Sequence, residues 1–374
     1  MPGIERVLIV GAGLAGLAGT IALRRHGLSV TVVERATDRT PTGAGLYLIG
    51  CATRALRALG IGDDATCHAV IRAQTFHDHR GAHIAEIDAE AFWKGCGPCI
   101  GVARSDLHDR LVQQAGAADV RFGVTVQALR QRPDHVCVRL SDGSSEAYDL
   151  VVGDDGIRSS IRQLELDRSP PRLRGQAGWR FIARRPPGVD GWAVFLGRRS
   201  AFLILPIGRD LAYCYADQAS PRCGTDRGPP DIERLRAGFM DFASPVRAVL
   251  AQLRSGDPIH CSAIEEVARP CYGRGRVVLI GDAAHAMSPN MACGAALAFE
   301  DALVLAEIVS RASGASEVVP ELIRRRSARV DRVRRQTDRR DRLRRLPPVI
   351  RDPLLRALTG RLYHVNYRPL LALP

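Results

Sequence analysis

Lysine is almost missing from this chain. Lys94 is the only one among fifty-three basic residues, in 374 residues with a formal net charge of +13. So lopsided a use of arginine reads as a bias of genomic composition more than as selection for a polyanionic partner. No helix-turn-helix or RNA-recognition pattern is present to read a nucleic acid, so none is expected as a partner. Also absent is any run near the roughly eighteen uninterrupted apolar residues of a membrane span. Met1–Val10 becomes a strand pattern rather than the core of a signal peptide, so no stable membrane insertion is expected and the location reads as cytoplasmic. The ten cysteines have no repeated spacing, which argues against a disulfide framework and for small buried hydrophobes. His77, His79 and His83 alternate along one expected hairpin, yet no fourth ligand is near. A solvated hairpin face is the better reading, and no metal centre is expected. Repeats and low-complexity linkers are missing too, while 46% hydrophobic content is ample for a core.

What is present begins with Val7-Leu8-Ile9-Val10-Gly11-Ala12-Gly13-Leu14-Ala15-Gly16, a buried-strand run that breaks into GxGxxG and continues as a helical pattern through Leu23. A second strand, Val30–Val33, ends at Glu34. A carboxylate about twenty residues beyond the glycines suits a ribose, and the glycines divide the work of a dinucleotide turn. Gly11 permits the tight turn, Gly13 lets pyrophosphate approach the backbone, and Gly16 lets helix and strand pack closely. The helix N-terminus then faces the phosphates. These residues alone leave NAD and FAD both open.

Two further strands end in loops of related composition. Asp149–Gly153 runs into Asp154-Asp155-Gly156, followed by Arg158 and Arg162. Arg276–Ile280 runs into Gly281-Asp282-Ala283-Ala284-His285, then Ser288-Pro289-Asn290 and Gly294, before the helical stretch Ala295–Ala306. In this order and spacing the chain resembles the single-component flavin-dependent aromatic hydroxylases, the para-hydroxybenzoate hydroxylase-like family. The resemblance covers nearly the whole chain, with the region around 220–260 the least similar.

The resemblance implies FAD as cofactor and NAD(P)H as co-substrate. Gly11, Gly13, Leu14, Ala15, Gly16 and Glu34 would form the nucleotide end of the site, with further contacts at Arg35 and Val126. Asp155-Gly156 match the motif that contacts flavin pyrophosphate and reduced nicotinamide, and Gly281-Asp282 the one that contacts the ribityl chain. Arg104, in Arg104-Ser105-Asp106-Leu107, takes the place of the arginine that reaches the flavin. Amides near Gly294 and Ala295 would open a helix beside the flavin pyrimidine ring and oppose the charge of its reduced form. Pro289 corresponds to the proline beside the reacting flavin edge, and it also shapes the turn before a helix. Tyr213 or Tyr215, with Arg180, would line the substrate pocket, and Trp179, Phe195 and Phe202 are further candidates. Arg180 could hold a carboxylate or phenolate or form a surface ion pair. His285 is expected to fix the loop around Asp282 by a hydrogen bond. Departures from the family pattern are Asp154 for alanine, Ala292 for glycine, Cys293 for glutamine and Ala296 for asparagine.

The implied reaction is monooxygenation. NAD(P)H reduces the flavin, O2 adds to give a C4a-hydroperoxide, and one oxygen passes to a small phenolic or heteroaromatic substrate in a pocket that excludes water. A reductase or dehydrogenase without oxygen transfer is the alternative. A halogenase is disfavoured because Trp93, Trp179 and Trp192 form no tryptophan-x-tryptophan element and Lys94 lies outside any matching motif. A non-catalytic flavin-binding protein is the last reading.

The expected fold is α/β. A discontinuous Rossmann-like FAD-binding domain (1–72, 98–174 and 268–320) is interrupted by a β-rich substrate domain (73–97 and 175–267), and C-terminal helices occupy 321–374. The assembly is expected to be a monomer or homodimer. The glycine-rich loop Thr42-Gly43-Ala44-Gly45 belongs to the first part. Thr75–Ile84 reads as a hairpin turning at Arg80-Gly81. Cys96-Gly97-Pro98-Cys99 precedes a strand instead of opening a helix, which favours a packed loop over a redox dithiol. Twelve arginines between Arg324 and Arg345, over a sparse apolar face, read as a long solvated helix.

Overall fold

The apolar run after Glu5 folds as a strand covered on both faces, and the rest of the architecture is arranged around it. The computed structural model describes residues 3–37, 44–62, 68–116, 120–208, 210–219 and 232–374; Thr42 and Gly43 lie outside the described residues. In chain order the first elements are β1 (Arg6–Val10), α1 (Leu14–Arg25), β2 (Ser29–Glu34), β3 (Gly45–Leu48), α2 (Gly50–Ala58), β4 (His68–Val70), β5 (Ala73–Asp78), β6 (His83–Asp88) and α3 (Ala89–Trp93). Then come β7 (Ile100–Ala103), α4 (Arg104–Ala115), β8 (Val120–Phe122), β9 (Val126–Gln131), β10 (Val136–Leu140), β11 (Ser145–Tyr148), β12 (Leu150–Gly153) and α5 (Ser160–Glu165). They are followed by β13 (Arg172–Arg184), β14 (Trp192–Leu196), β15 (Ser200–Pro206), β16 (Leu211–Ala219), α6 (Ile232–Phe239), α7 (Ser244–Leu250) and β17 (His260–Glu266). The chain ends with β18 (Gly273–Arg274), β19 (Val277–Leu279), α8 (Gly281–His285), α9 (Gly294–Arg311), α10 (Val318–Arg344) and α11 (Pro348–Tyr367).

A six-stranded sheet has the order β18-β19-β12-β1-β2-β8, parallel except at β18. Its central strands are unbroken apolar runs because both faces are covered. Ile9 is buried with α1 and α9, and Leu8 with the three-stranded sheet β9–β11 on the other side. Since β2 lies on one flank of β1 and β12 on the other, the chain leaves β1 where the strand order diverges. Open α/β sheets have their crevice at that point.

The second large sheet, β17-β13-β16-β15-β14-β5-β6, joins residues 73–88 to residues 172–266 through the parallel pairing of β5 with β14. β13 starts a few residues ahead of 175, because Arg172 and Leu173 pair with Glu266 and Glu265. The hairpin at 75–84 forms with Gly81 at φ +92 in its turn. One face of this sheet packs under α6 and α7. Phe195 and Phe202 point that way, Phe202 meeting Phe239 at 5.4 Å, so they are core and not pocket. His77 stacks on Phe195 at 5.1 Å and faces His83 across the hairpin. Among the described residues no group of three or more metal-ligating side chains occurs. The small sheet β3-β7-β4 lies so close to the larger one that a Cβ on Gly45 would sit 2.5 Å from Tyr213 Cβ. Cys96 and Cys99 are both buried in the loop before β7, and burial pushes the Cys99 thiol up to about 11, the opposite of a reactive thiolate.

The Arg324–Arg345 segment is helical, as its pattern implies, and Arg324, Arg332, Arg335, Arg339, Arg342 and Arg345 are exposed, but the solvated reading does not extend to its inner face. Arg326 is fully buried, with Nε donating to Asp301 Oδ1 at 2.6 Å and Nη1 3.1 Å from Glu300, and Arg329 donates to the same Glu300 at 2.5 Å. Nη2 of Arg334 caps the carbonyls of Val267 and Ala268. These acids and carbonyls are supplied by α9 and by the chain after β17. The charge pattern of α10 on its own therefore conceals how much of it is interior.

Candidate active site

The chain ends of three parallel strands open on one cavity of about 990 Å³. At β1, Gly11 holds φ +111, and a Cβ there would lie 2.3 Å from the Asp154 carbonyl oxygen; a Cβ on Gly16 would lie 2.0 Å from the Gly11 carbonyl. Glycine is required at both positions. Helix α1 starts at Leu14 with no side-chain cap, and so does α9 at Gly294, and both N-termini face the cavity. Uncapped amides at a helix start accept an anion readily. Two such ends, lined by Gly13, Leu14, Ala15, Gly294 and Ala295, fit the diphosphate and the electron-rich ring edge of a flavin dinucleotide. Glu34 accepts from the Ala12 and Ala36 amides at 2.8 Å each, one to each carboxylate oxygen, and retains lone pairs for a ribose hydroxyl.

The acidic pair after β12 divides its work differently from expectation. Asp155 turns away and caps the start of α5, accepting from the Ser160 amide at 2.5 Å and the Ser160 hydroxyl at 2.7 Å. Its Oδ1 is buried without a partner. Asp154 is the acid that faces the cavity, its Oδ2 accepting from the Gly16 amide at 2.5 Å. Burial, then the nearby Asp282 charge, push its carboxyl well above the usual range. Under the third strand, Asp301 of α9 binds the Gly281 amide at 3.1 Å and His285 Nε2 at 2.6 Å. His285 thus fixes the loop around Asp282 through Asp301. Burial acts to raise the Asp301 carboxyl, but His285 and Arg326 overcome it and hold it at about 2.

The opposite wall is the second face of the seven-stranded sheet. Cross-strand neighbours share a face, and one row runs Phe76, Val194, Leu203, Tyr215, Arg180, His260, all lining the cavity. Tyr213 lines it two residues before Tyr215. The Arg180 guanidinium lies 5.3 Å over the Tyr215 ring and donates to Ser262 Oγ at 3.0 Å. Burial, reinforced by Arg180 and Arg104, lowers the His260 imidazole below its ordinary value. Arg104 is itself pulled down by burial, opposed chiefly by Asp282.

Pro289 reaches the cavity beside Asn290, and here the C-terminal helices enter. Arg344 of α10 grips Asp217 of β16 with both Nη atoms, at 2.5 and 3.0 Å, and donates to Asn290 Oδ1 at 2.7 Å; Asn290 in turn donates to Asp341. On α11, Arg351 donates to the Gly197 and Leu196 carbonyls and to Asp352.

Of the residues expected at the site, Gly13, Leu14, Ala15, Arg104, Asp282, Pro289, Gly294, Ala295, Tyr213 and Arg180 all line this cavity. Gly11, Gly16, Glu34 and Gly281 sit immediately behind it. Arg35 is exposed beyond Glu34, and Val126 is buried in the core with Leu8 and Val33. Sequence reasoning passed over Asp217, Arg344, Arg351 and Leu355, which line the same cavity, and Asp301 beneath it. Their partners lie far away along the chain. Asp154 was the one local signal, visible as a departure from the family's alanine.

A family model described as an FAD binding domain matches residues 5–336. The aurachin C monooxygenase/isomerase of Stigmatella aurantiaca is 34% identical over 331 residues, covering 87% of this chain and 85% of that one. The 2-heptyl-3-hydroxy-4(1H)-quinolone synthase of Pseudomonas aeruginosa is 31% identical over 306 residues, covering 81% and 80%. The crystal structure of Klebsiella pneumoniae HpxO with FAD and uric acid superposes with a TM-score of 0.79 at 26% identity, covering 98% of this chain and 92% of that one. With the glycine turn, the two uncapped helix starts and the GD loop gathered at one cavity, the chain belongs to the FAD binding domain family and is an FAD-dependent monooxygenase of the aromatic hydroxylase type.

Proposed function

We propose that this protein oxidises NAD(P)H and inserts one oxygen atom of O2 into a small phenolic or heteroaromatic molecule. The observation that carries the reading is the cavity itself. One volume joins two uncapped helix N-termini to one face of the seven-stranded sheet, with Pro289 in its lining. Bound FAD supplies the redox chemistry, activating O2 and passing on one atom by the route the sequence motifs imply. The chain's own residues bind, orient and keep water out. The amides of Leu14 and Ala15 would hold the diphosphate, with Gly11, Gly13 and Gly16 allowing its approach, and Glu34 the ribose. Arg35 and Val126 flank that end. Asp282 would hold the ribityl chain, the amides at Gly294 and Ala295 the charge that grows on reduction, and Arg104 the ring. Tyr213 and Arg180 would face the substrate. In this reading residues 1–72, 98–174 and 268–320 serve the cofactor, residues 73–97 and 175–267 the substrate, and 321–374 close the site. The protein works as a monomer or homodimer in the cytoplasm, with no nucleic-acid partner.

The test is anaerobic and aerobic turnover of FAD-loaded protein with NADH and NADPH. Substrate-stimulated NAD(P)H oxidation, equimolar O2 uptake and a product heavier by one oxygen atom are expected. Stimulated oxidation that proceeds equally well without O2 would make it a reductase and end the proposal.

A further inference from the structure

The sheet face that lines the cavity is divided by chemistry. Where β5, β14 and β15 contribute, the row is Phe76, Val194 and Leu203, with Leu196 and Ala201 paired in the next row. Where β16, β13 and β17 contribute, the same rows continue as Tyr215, Arg180 and His260, and as Asp217 and Ser262. Leu343 of α10 and Leu355 of α11 line the cavity as well. The arginines that reach the apolar half are already engaged. Arg351 donates to the Leu196 and Gly197 carbonyls and to Asp352, and Arg344 is paired bidentately with Asp217. Arg340 also lines the cavity with its Nη1 donating to the Tyr367 hydroxyl at 2.9 Å, so a carboxylate placed against Val194 and Leu203 would be stripped of water and meet arginines already bonded elsewhere.

We propose, resting on the monooxygenase reading, that the substrate is a flat aromatic or heteroaromatic ring whose polar edge faces Tyr215 and Arg180. An extended apolar substituent, and not a carboxylate, lies over β5, β14 and β15. Each methylene of that substituent removes apolar surface from water, so affinity rises with chain length until the walls are filled.

The experiment titrates FAD-loaded protein with 2-alkyl-4(1H)-quinolones and 4-alkylphenols, from methyl to nonyl, and with 4-hydroxyquinoline-2-carboxylate and salicylate. Binding is read from the perturbation of flavin absorbance, apart from turnover. The expected result is a Kd falling about fourfold per methylene over the first several carbons in at least one series, with neither carboxylate binding within a hundredfold of the tightest alkyl compound. Two variants, Leu203→Arg and Leu355→Arg, each place an unengaged cation on the apolar half. At least one is expected to flatten the chain-length dependence and gain carboxylate binding. A Kd indifferent to chain length in both series, no binding by either, or preferential binding of the carboxylates overturns the proposal. Chain-length-dependent binding without O2 uptake would instead count against the monooxygenase reading, and coupled oxygenation of salicylate against the substrate class alone.

Discussion

Two buried aspartates, Asp154 and Asp301, lie on opposite sides of the ordinary carboxylate range, and their surroundings explain the difference. Asp301 has His285, Arg326 and the Gly281 amide around it. Its folded carboxyl is held at about 2, below the ordinary 3.8, so its contribution is complete above that ordinary value. It is lost as pH falls from about 4 through about 2, a loss of about 2 kcal/mol. Asp301→Asn leaves Arg326 buried without that partner and should cost about 3–5 kcal/mol. Thermal melts and FAD release would register both; a variant that melts with the parent and keeps its flavin would contradict this account. At Asp154, burial and then the charge of Asp282 outweigh the attraction of Arg104. A raised carboxyl favours the folded state at low pH, and that advantage shrinks as pH rises above the ordinary carboxylate range. Asp154→Asn keeps an acceptor for the Gly16 amide and removes the charge beside the glycine turn. It should tighten FAD about tenfold where the parent carboxylate is ionised, with a smaller gain at lower pH. Weaker FAD binding in both pH ranges would show that the carboxylate has another task.

At the scale of elements, α10 connects the loop at Pro289 to the seven-stranded sheet. Arg344 touches Asp217 on β16 and Asn290 beside Pro289 at once. Burial alone would weaken its charge, but Asp217 more than compensates and raises it. Removing Arg344 alone would orphan Asp217, so the informative variant is the pair Arg344→Gln and Asp217→Asn. With Pro289 no longer tied to the sheet, oxygen transfer should fall by about tenfold or more while flavin content and NAD(P)H oxidation persist. The difference would appear as hydrogen peroxide. Unchanged coupling between NAD(P)H consumed and product formed would count against a positioning role. The seven-stranded sheet carries the complementary lesson. Composition marks residues 175–267 as β-rich, but does not say which face of a strand meets the cavity. Val194 and Leu203 line it, while Phe195 and Phe202 pack away from it.

On the scale of the whole molecule, the last helix is a wall of the site as well as a cover for the core. Tyr363 of α11 accepts from the Trp93 indole at 2.9 Å, and Arg351 holds the turn after β14. A chain ending at residue 346 should lose substrate binding, with a melting temperature lower by roughly 5–10 °C. It should still bind FAD, because the β1 turn and the GD loop do not depend on α11. Retention of substrate affinity by the shortened chain would show that Leu355 and Arg351 are dispensable.

Local order determined what the sequence could show by itself. The run Val7–Val10 must be a buried strand, Gly11 must be glycine for its positive φ and Gly16 for the approach of the Gly11 carbonyl, and the hairpin at Arg80-Gly81 closes on itself. Those features, and the family they resemble, were legible because each is specified by a short stretch of chain. The tertiary structure alone decided that Asp154 and not Asp155 faces the cofactor cavity, that an arginine-rich helix buries Arg326 against acids of another helix, and that Arg344 meets an acid 127 residues away. Burial and ion pairing are properties of what surrounds a side chain, and for these residues the surroundings come from distant strands and helices that no local periodicity encodes.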